Sequence, residues 1–366
     1  MQIRSVNVEY GWVTEKYKTL FSETLGCLKG YEHQIRLRDN TIPKQAKVRR
    51  IPVHLLKSVE AELERLQEQG VIEMVEATEW LAPLVISCKS NGDVRLCVDL
   101  RELNRDVIVD HFPIPPIDEI VNSLHGASIF TTLDLASAYY QVELNKQSRE
   151  LTALITPFGS FQFKRLPFGL VSAAACFQRL MSRVLKGVTG VKCYQDDILV
   201  YEASKGDHDA CLREVLDRLS KAGLTLKENK CCFGANSVDY LGHHIDANGM
   251  TPKRDLVETI VRMSEPTSKE ELASFFGMVE FNAKFIRNLS DKTVHMRQLL
   301  KRGQEYVWDD KCSEEFKCVK ECLSAAPNLR AFKPNAETFL ITDASEKGLG
   351  SVLMQRIEGK EEVLIA

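Results

Sequence analysis

Two neighbouring carboxylates, Asp196 and Asp197, stand between apolar stretches at residues 191–194 and 198–201. The second stretch is β-branched and aromatic, so the pattern predicts a hairpin with the carboxylates at its tip. Two carboxylates on a tight turn repel each other unless a cation lies between them, and a hard divalent ion with oxygen ligands suits that place. Because most Asp-Asp dipeptides are solvated turns, the pair needs a second observation before it indicates a site.

A third carboxylate supplies that observation. Another apolar, β-branched run at residues 129–133 ends in Asp134. The end of this strand can lie beside the hairpin tip within one sheet, which would bring Asp134 close to Asp196 and Asp197. Three carboxylates in that arrangement hold two metal ions for in-line phosphoryl transfer, one activating the attacking oxygen and one steadying the leaving oxygen. The aspartates therefore predict a two-metal phosphoryl-transfer site.

The motifs around these carboxylates occur in a fixed order: residues 133–141, then 166–170, then 194–197. In this order they resemble a reverse transcriptase, and more closely the polymerase of gypsy-type LTR retrotransposons, from residue 25 to the C-terminus. The resemblance implies an RNA-directed DNA polymerase, a nucleotidyltransferase that adds dNTPs to a primer 3′-hydroxyl on an RNA or DNA template. It also implies Mg²⁺ as the cofactor, with Mn²⁺ as an alternative.

The resemblance assigns a role to each matching residue. The expected metal ligands are three side-chain carboxylates and one backbone carbonyl: Asp134, Asp196, Asp197 and Leu135. The residues expected to bind the nucleotide are two cations of a fingers hairpin for the triphosphate, a tyrosine that excludes a 2′-hydroxyl, and a Phe-Gly pair against the base pair: Lys89, Arg95, Tyr139, Phe168 and Gly169. Lys230 matches the family lysine near the leaving pyrophosphate, where it would act as a general acid.

Each of these residues also has an ordinary structural explanation. Basic residues on a hairpin are usually solvated, a single tyrosine usually belongs to a core, and a loop lysine is usually a surface charge. The order of the motifs favours the functional roles. Two other functions stay open: a domesticated copy that binds nucleic acid or a protein without polymerising, and another palm enzyme such as a nucleotide cyclase, which the motif order disfavours.

The expected fold class is α+β, a right-hand polymerase with fingers, a palm with an antiparallel sheet, and a thumb, followed by the truncated start of an RNase H-like α/β domain. The expected boundaries are a lead-in segment at 1–50, fingers and palm at 51–245, thumb and connection helices at 246–330, and the RNase H-like start at 331–366. Asp343 would be the first metal ligand of that last domain. Because no aspartate follows Asp343 in this sequence, we expect RNase H activity to be lost by truncation.

Local patterns place the motifs on elements. Residues 52–69 carry an apolar helical stripe that ends at Gly70. Ser172 is the expected N-cap of the helix after the Pro-Phe-Gly motif, and residues 268–271 form a capping box. Residues 99–104 are expected to brace the fingers through ion pairs, and residues 240–245 resemble the primer grip.

The composition limits the cellular setting. The net charge is −3, so local clusters such as residues 44–50 would have to attract nucleic acid, and that cluster is equally well explained as a solvated loop. Eleven cysteines without paired CxxC spacing predict reduced thiols in the cytoplasm, with the nucleus or virus-like particles as alternatives. No apolar run is long enough to span a membrane, so no membrane partner is expected. The resemblance implies template-primer, dNTPs and other parts of a parent polyprotein as partners.

Overall fold

The computed structural model describes residues 8–88, 94–330, 335–345, 348–357 and 360–364. The chain divides into two compact units. The first comprises three segments: Met1–Ile114, Thr131–Val200 and Asp209–Phe233. The second comprises the remaining three: Pro115–Phe130, Tyr201–His208 and Gly234–Ala366. Among the described residues, no helix is both long and apolar enough to cross a membrane.

Helices and strands alternate irregularly along the chain. The α-helices are α1 Gly11–Lys16, α2 Leu56–Glu68, α3 Arg101–Asp106, α4 Ile117–Ser123, α5 Lys146–Arg149, α6 Ala173–Val184, α7 Lys205–Ala222, α8 Arg254–Arg262, α9 Lys269–Phe281, α10 Val294–Leu299 and α11 Asp310–Ser324. The strands are β1 Glu32–His33, β2 Ile72–Met74, β3 Ala82–Cys88, β4 Val94–Val98, β5 Ile129–Asp134, β6 Glu143–Leu144, β7 Leu154–Thr156, β8 Gly159–Phe163, β9 Val191–Tyr194, β10 Asp197–Glu202, β11 Cys232–Ala235, β12 Ser237–Tyr240, β13 His243–Asp246, β14 Gly249–Pro252, β15 Glu337–Ser345, β16 Gly348–Ile357 and β17 Lys360–Leu364.

A four-stranded sheet in the order β11-β5-β10-β9 carries the aspartates. Strands β9 and β10 pair antiparallel, with Asp197 opposite Tyr194, so the predicted hairpin is confirmed. Residues 198–200 are fully buried because both faces of β10 lie within the protein. The apolar stripes of α6 and α7 belong to the same hydrophobic core as β10, as their 3.6-residue spacing requires. This packing fixes the base of the hairpin.

A five-stranded sheet in the order β2-β8-β7-β3-β4 lies in the first unit. Strand β3 runs parallel to β7 and antiparallel to β4. Helix α2 presents the predicted stripe, with Val59, Leu63 and Leu66 buried, and Gly70 follows it at φ +66°. The turn between β3 and β4, which includes Lys89, lies outside the described residues.

The second unit combines small antiparallel sheets with a helical core. Strands β12, β13 and β14 form one sheet, and β15, β16 and β17 form another. Aromatic and aliphatic residues of α8 to α11 form the separate core of this unit. The predicted capping box is confirmed, because the Ser268 hydroxyl accepts from the amide of Glu271 at 3.2 Å. Asp343 lies on β15 opposite Gly350, and its side chain is outside the described part of the chain.

Ser172 is the N-cap residue of α6, as predicted, but its side chain makes no capping hydrogen bond. Its backbone is helical rather than extended, with φ −85° and ψ −7°, so the hydroxyl is not directed at the free amides of the first turn. The hydroxyl instead lies 3.2 Å from Nε2 of the buried His33. Ser172 therefore ties the lead-in segment to α6.

Candidate active site

The hairpin tip is held in a rare backbone conformation. Gln195 has φ +55°, in the left-handed region that non-glycine residues seldom adopt. Its amide donates to Oε1 of Gln178 at 2.6 Å, and its carbonyl accepts from the thiol of Cys193 at 3.1 Å. The Gln178 amide group also donates to the carbonyl of Cys193 at 2.9 Å. One buried glutamine on α6 thus clasps both sides of the turn that presents Asp196 and Asp197.

Asp134 lies where β5 ends, beside the loop after α7. Its backbone carbonyl accepts from the amide of Lys227 at 2.9 Å, and its Oδ2 lies 2.9 Å from Nζ of Lys230. The neighbouring Leu135 forms an isolated antiparallel bridge with Leu226. These contacts place Lys230, which the sequence assigned to the same site, directly on one of the predicted metal ligands.

Electrostatics indicate that the three carboxylates converge. Burial, and then the charges of Asp196 and Asp134, raise the pKa of Asp197 from 3.8 to about 6, while the charge of Lys230 opposes them. A nearby cation stabilises the ionised form of a carboxyl group that other carboxylates surround. The electrostatic cause identified from the sequence, mutual repulsion of the aspartates, is therefore present in the folded protein.

Oxygen donors of this kind suit hard divalent ions such as Mg²⁺. Within the described ranges, however, no three carboxylate, thiol or imidazole side chains are already gathered as metal ligands. Asp134 is instead paired with Lys230 at 2.9 Å. The donor set fits a divalent metal by chemistry, and an ion bound at Asp134 would share that carboxylate with Lys230 or compete with it.

Tyr139 lies on a 3₁₀ turn, Ala138–Gln141, just beyond Asp134. Its ring centroid is 5.0 Å from that of Phe168 and 5.5 Å from that of Phe177. Its hydroxyl donates to Oε1 of Gln195 at 3.3 Å. The structure therefore brings Tyr139, Phe168 and the hairpin tip together, as their shared assignment to nucleotide binding requires.

A buried glutamine that received no role from the sequence holds the loop behind Tyr139. The side-chain nitrogen of Gln141 donates to the carbonyls of Ala136 and Thr225 at 2.7 and 2.9 Å. Its Oε1 accepts from the amide of Thr225 at 2.7 Å. Gln141 is fully buried, so these bonds are shielded from water. Its burial is not visible in the sequence, so its place within the motif at residues 133–141 is the signal that could have drawn attention to it.

The Phe-Gly turn is clamped from α3. Gly169 has φ +90°, and a Cβ there would lie 3.4 Å from the carbonyl oxygen of Val98, so glycine suits both the conformation and the close approach. The side chain of Asn104 donates to the Gly169 carbonyl at 2.8 Å and accepts from the amide of Val171 at 2.9 Å. The expected ion pairs of this segment also form, because Asp99 contacts the guanidinium of Arg101 at 2.7 Å.

An open cleft of about 890 Å³ joins these parts within the first unit. Its lining includes two carboxylates, an aromatic ring and three cations: Asp134, Asp196, Phe168, Arg65, Arg95 and Lys230. Arg95 is exposed on β4, on the side expected to meet a triphosphate. Arg65 on α2 was missed by the sequence analysis; its guanidinium makes two bonds to Glu62, at 2.6 and 2.7 Å.

Comparison with known protein families accounts for this arrangement. Residues 87–245 match the family described as reverse transcriptase (RNA-dependent DNA polymerase). This part of the chain is similar to reverse transcriptases. Residues 308–366 match the RNase H-like domain found in reverse transcriptases, so this match begins inside the segment assigned to thumb and connection. The predicted domain boundaries and the individual site roles stay predictions.

The chain is also similar to retrotransposon polyproteins. The transposon Tf2-3 and Tf2-7 polyproteins of Schizosaccharomyces pombe are each 30% identical over 331 residues, which is 90% of this chain and 25% of theirs. This chain thus spans about a quarter of the length of these relatives. The predicted resemblance to retrotransposon polymerases is confirmed.

Solved structures confirm the predicted α+β right-hand fold. The foamy viral protease-reverse transcriptase in complex with dsDNA has a TM-score of 0.88 at 21% identity, covering 98% of this chain and 76% of that one. The same enzyme in complex with an RNA/DNA hybrid has a TM-score of 0.87 at 21% identity, covering 97% and 49%. At this identity the likeness concerns the fold.

Proposed function

We propose that this chain is the reverse transcriptase part of a retrotransposon polyprotein. It transfers a deoxynucleotide from a dNTP to a primer 3′-hydroxyl on an RNA or DNA template, with release of pyrophosphate. The observation that carries the proposal is the grouping of Asp134, Asp196 and Asp197: the first two line one cleft, and burial followed by the charges of Asp196 and Asp134 raises the pKa of Asp197. The family match and the nucleic-acid complexes of similarly folded enzymes support it.

The proposed metal ligands are the three carboxylates with the carbonyl of Leu135. When bound, Mg²⁺ or Mn²⁺ would neutralise these carboxylates and supply Lewis-acid activation of the reacting oxygens. Lys230, held 2.9 Å from Asp134, is the proposed proton donor for the leaving pyrophosphate. Its ion pair with Asp134, in a cleft that Asp196 also lines, supports that role for a side chain that is 55% exposed.

The proposed nucleotide site lines the cleft beside the carboxylates. Arg95 would neutralise triphosphate oxygens with its guanidinium fork, and the same role is proposed for Lys89. Phe168 and Gly169 would lie against the new base pair. Tyr139 would exclude a 2′-hydroxyl, because its ring is confined on two sides by other aromatic rings. The sugar that fits is therefore a deoxyribose.

The cytoplasm, the nucleus and virus-like particles are the proposed compartments. None of the eleven cysteines, all of which lie in the described ranges, forms a disulfide, which suits reducing surroundings. Other parts of a parent polyprotein are proposed partners, because the similar Tf2 polyproteins are about four times as long as the matched region.

Primer extension tests the function directly. A primed RNA template, dNTPs and Mg²⁺ are incubated with the wild-type chain, with Asp196→Asn, and with Asp255→Asn as a matched control on an exposed aspartate of α8. We expect extension by the wild type and the control and a loss of at least about 10³-fold in Asp196→Asn, because a metal ligand is removed. Template-primer binding without extension by the wild type would refute the polymerase proposal and favour a nucleic-acid-binding remnant.

A further inference from the structure

Gln195 is the residue between Tyr194 and the two hairpin aspartates, and nothing in the sequence assigned it a role. In the structure its backbone is fixed on both sides. The amide donates to Gln178 at 2.6 Å, and the carbonyl accepts from the thiol of Cys193 at 3.1 Å. With φ held at +55°, the direction in which the side chain leaves the turn is also fixed. The fixed backbone therefore limits where the side chain of Gln195 can reach.

The side-chain oxygen of Gln195 meets the hydroxyl of Tyr139, which donates to it at 3.3 Å. Burial, and then the charge of Asp196, raises the pKa of Tyr139, so this hydroxyl stays protonated and remains a donor at neutral pH. The Tyr139 ring contacts Phe168 and Phe177, with centroid distances of 5.0 and 5.5 Å. The two aromatic contacts restrict the position of the Tyr139 ring, and the hydrogen bond to Gln195 restricts the orientation of its hydroxyl.

We infer that Gln195 is a positioning residue for sugar selection, and that its side-chain carbonyl orients Tyr139 towards the sugar of the incoming nucleoside triphosphate. This inference rests on the proposed polymerase function and extends it. An apolar side chain at the same position would fill the space without accepting the hydrogen bond. The tyrosine and the aspartate hairpin therefore act as one hydrogen-bonded unit, so discrimination against ribonucleotides depends on a residue of the hairpin.

The test is a double-mutant cycle on nucleotide selectivity. Gln195→Met keeps the length of the side chain and removes the acceptor, while Tyr139→Phe keeps the ring and removes the donor. We measure kcat/KM for insertion of a dNTP and of the matching rNTP by each single variant, by the double variant and by the wild type. A neutral hydrogen bond of this kind predicts a fall of roughly two- to tenfold in the dNTP-to-rNTP ratio for each single variant. Because both changes remove the same bond, the double variant is expected to show no further fall.

The outcomes separate the inference from the proposed function. Gln147→Met, on the exposed surface of α5, is the matched control and should retain the wild-type ratio. A hairpin that is merely loosened would lower both efficiencies by the same factor and leave the ratio unchanged, which would overturn the inference. Additive effects in the double variant would also overturn it. If the wild type inserts neither nucleotide, the proposed function fails and the inference fails with it.

Discussion

Replacing Gln178 with methionine removes both bonds that clasp the aspartate turn while keeping the volume of the side chain. The bonds run to the carbonyl of Cys193 at 2.9 Å and from the amide of Gln195 at 2.6 Å. Gln178 itself is 3% exposed, whereas Cys193 and Gln195 are half-buried. Water can partly replace the lost partners of the turn, so we count each bond at its net contribution of about 0.5–1.5 kcal/mol. Loss of both bonds should then lower the free energy of unfolding by about 1–3 kcal/mol.

The expected effect on catalysis is larger than the effect on stability. The clasp determines where Asp196 and Asp197 stand, and a displacement of about 1 Å of a catalytic group costs on the order of 10²-fold in rate. We therefore expect kcat/KM for dNTP insertion to fall by about 10- to 100-fold in Gln178→Met. Urea unfolding followed by tryptophan fluorescence gives the stability, and single-nucleotide primer extension at a temperature where both proteins are folded gives the rate.

The matched control is again Gln147→Met, which makes the same chemical change on an exposed surface. If Gln178→Met stays within twofold of the control in kcat/KM, the clasp does not position the carboxylates and the reasoning is refuted. If its activity falls only in proportion to the fraction of unfolded protein, Gln178 is important for stability alone.

Two further changes test the structure away from the carboxylates. Burial, and then the charge of Arg179, lowers the pKa of His33 to about 4, so the unfolded chain gains a proton first as pH falls from 6.5. Between pH 7 and pH 4, the free energy of unfolding of the wild type should drop by about 3 kcal/mol more than that of His33→Gln, as measured by urea titrations. The exposed His111→Gln should follow the wild type. Gly242→Ala should lower the free energy of unfolding by about 1–3 kcal/mol, because φ is +80° and the new Cβ would lie 2.7 Å from Cζ of Phe281. Gly277→Ala, in open space on α9, should not destabilise the protein. Equal stability of the two alanine variants would contradict this account.

The order and identity of the motifs could be predicted from the sequence because they depend on local patterns. A hairpin with carboxylates at its tip follows from apolar runs on either side of Asp196 and Asp197, and the structure confirms it. The stripe of α2 and the capping box at Ser268 also follow from spacing alone. In each case the residues that make the feature lie within a few positions of one another.

The side-chain contact of Ser172 could not be predicted from its local sequence. The residue type and place suit a helix cap, yet its hydroxyl contacts His33, which lies 139 positions earlier in the chain. A partner that distant leaves no mark in the local pattern, so the capping prediction could not take it into account.

The amino-acid sequence by itself determined the residues of the proposed chemistry: three carboxylates, a tyrosine and a lysine in an order that resembles a reverse transcriptase. Only the tertiary structure decided how they are held. Gln141 bridges to Thr225 across 84 positions, Asn104 to Gly169 across 65, and Lys230 to Asp134 across 96. The physical reason is that a side-chain amide or ammonium satisfies whichever polar group the folded chain brings within about 3 Å, and sequence spacing does not encode that meeting.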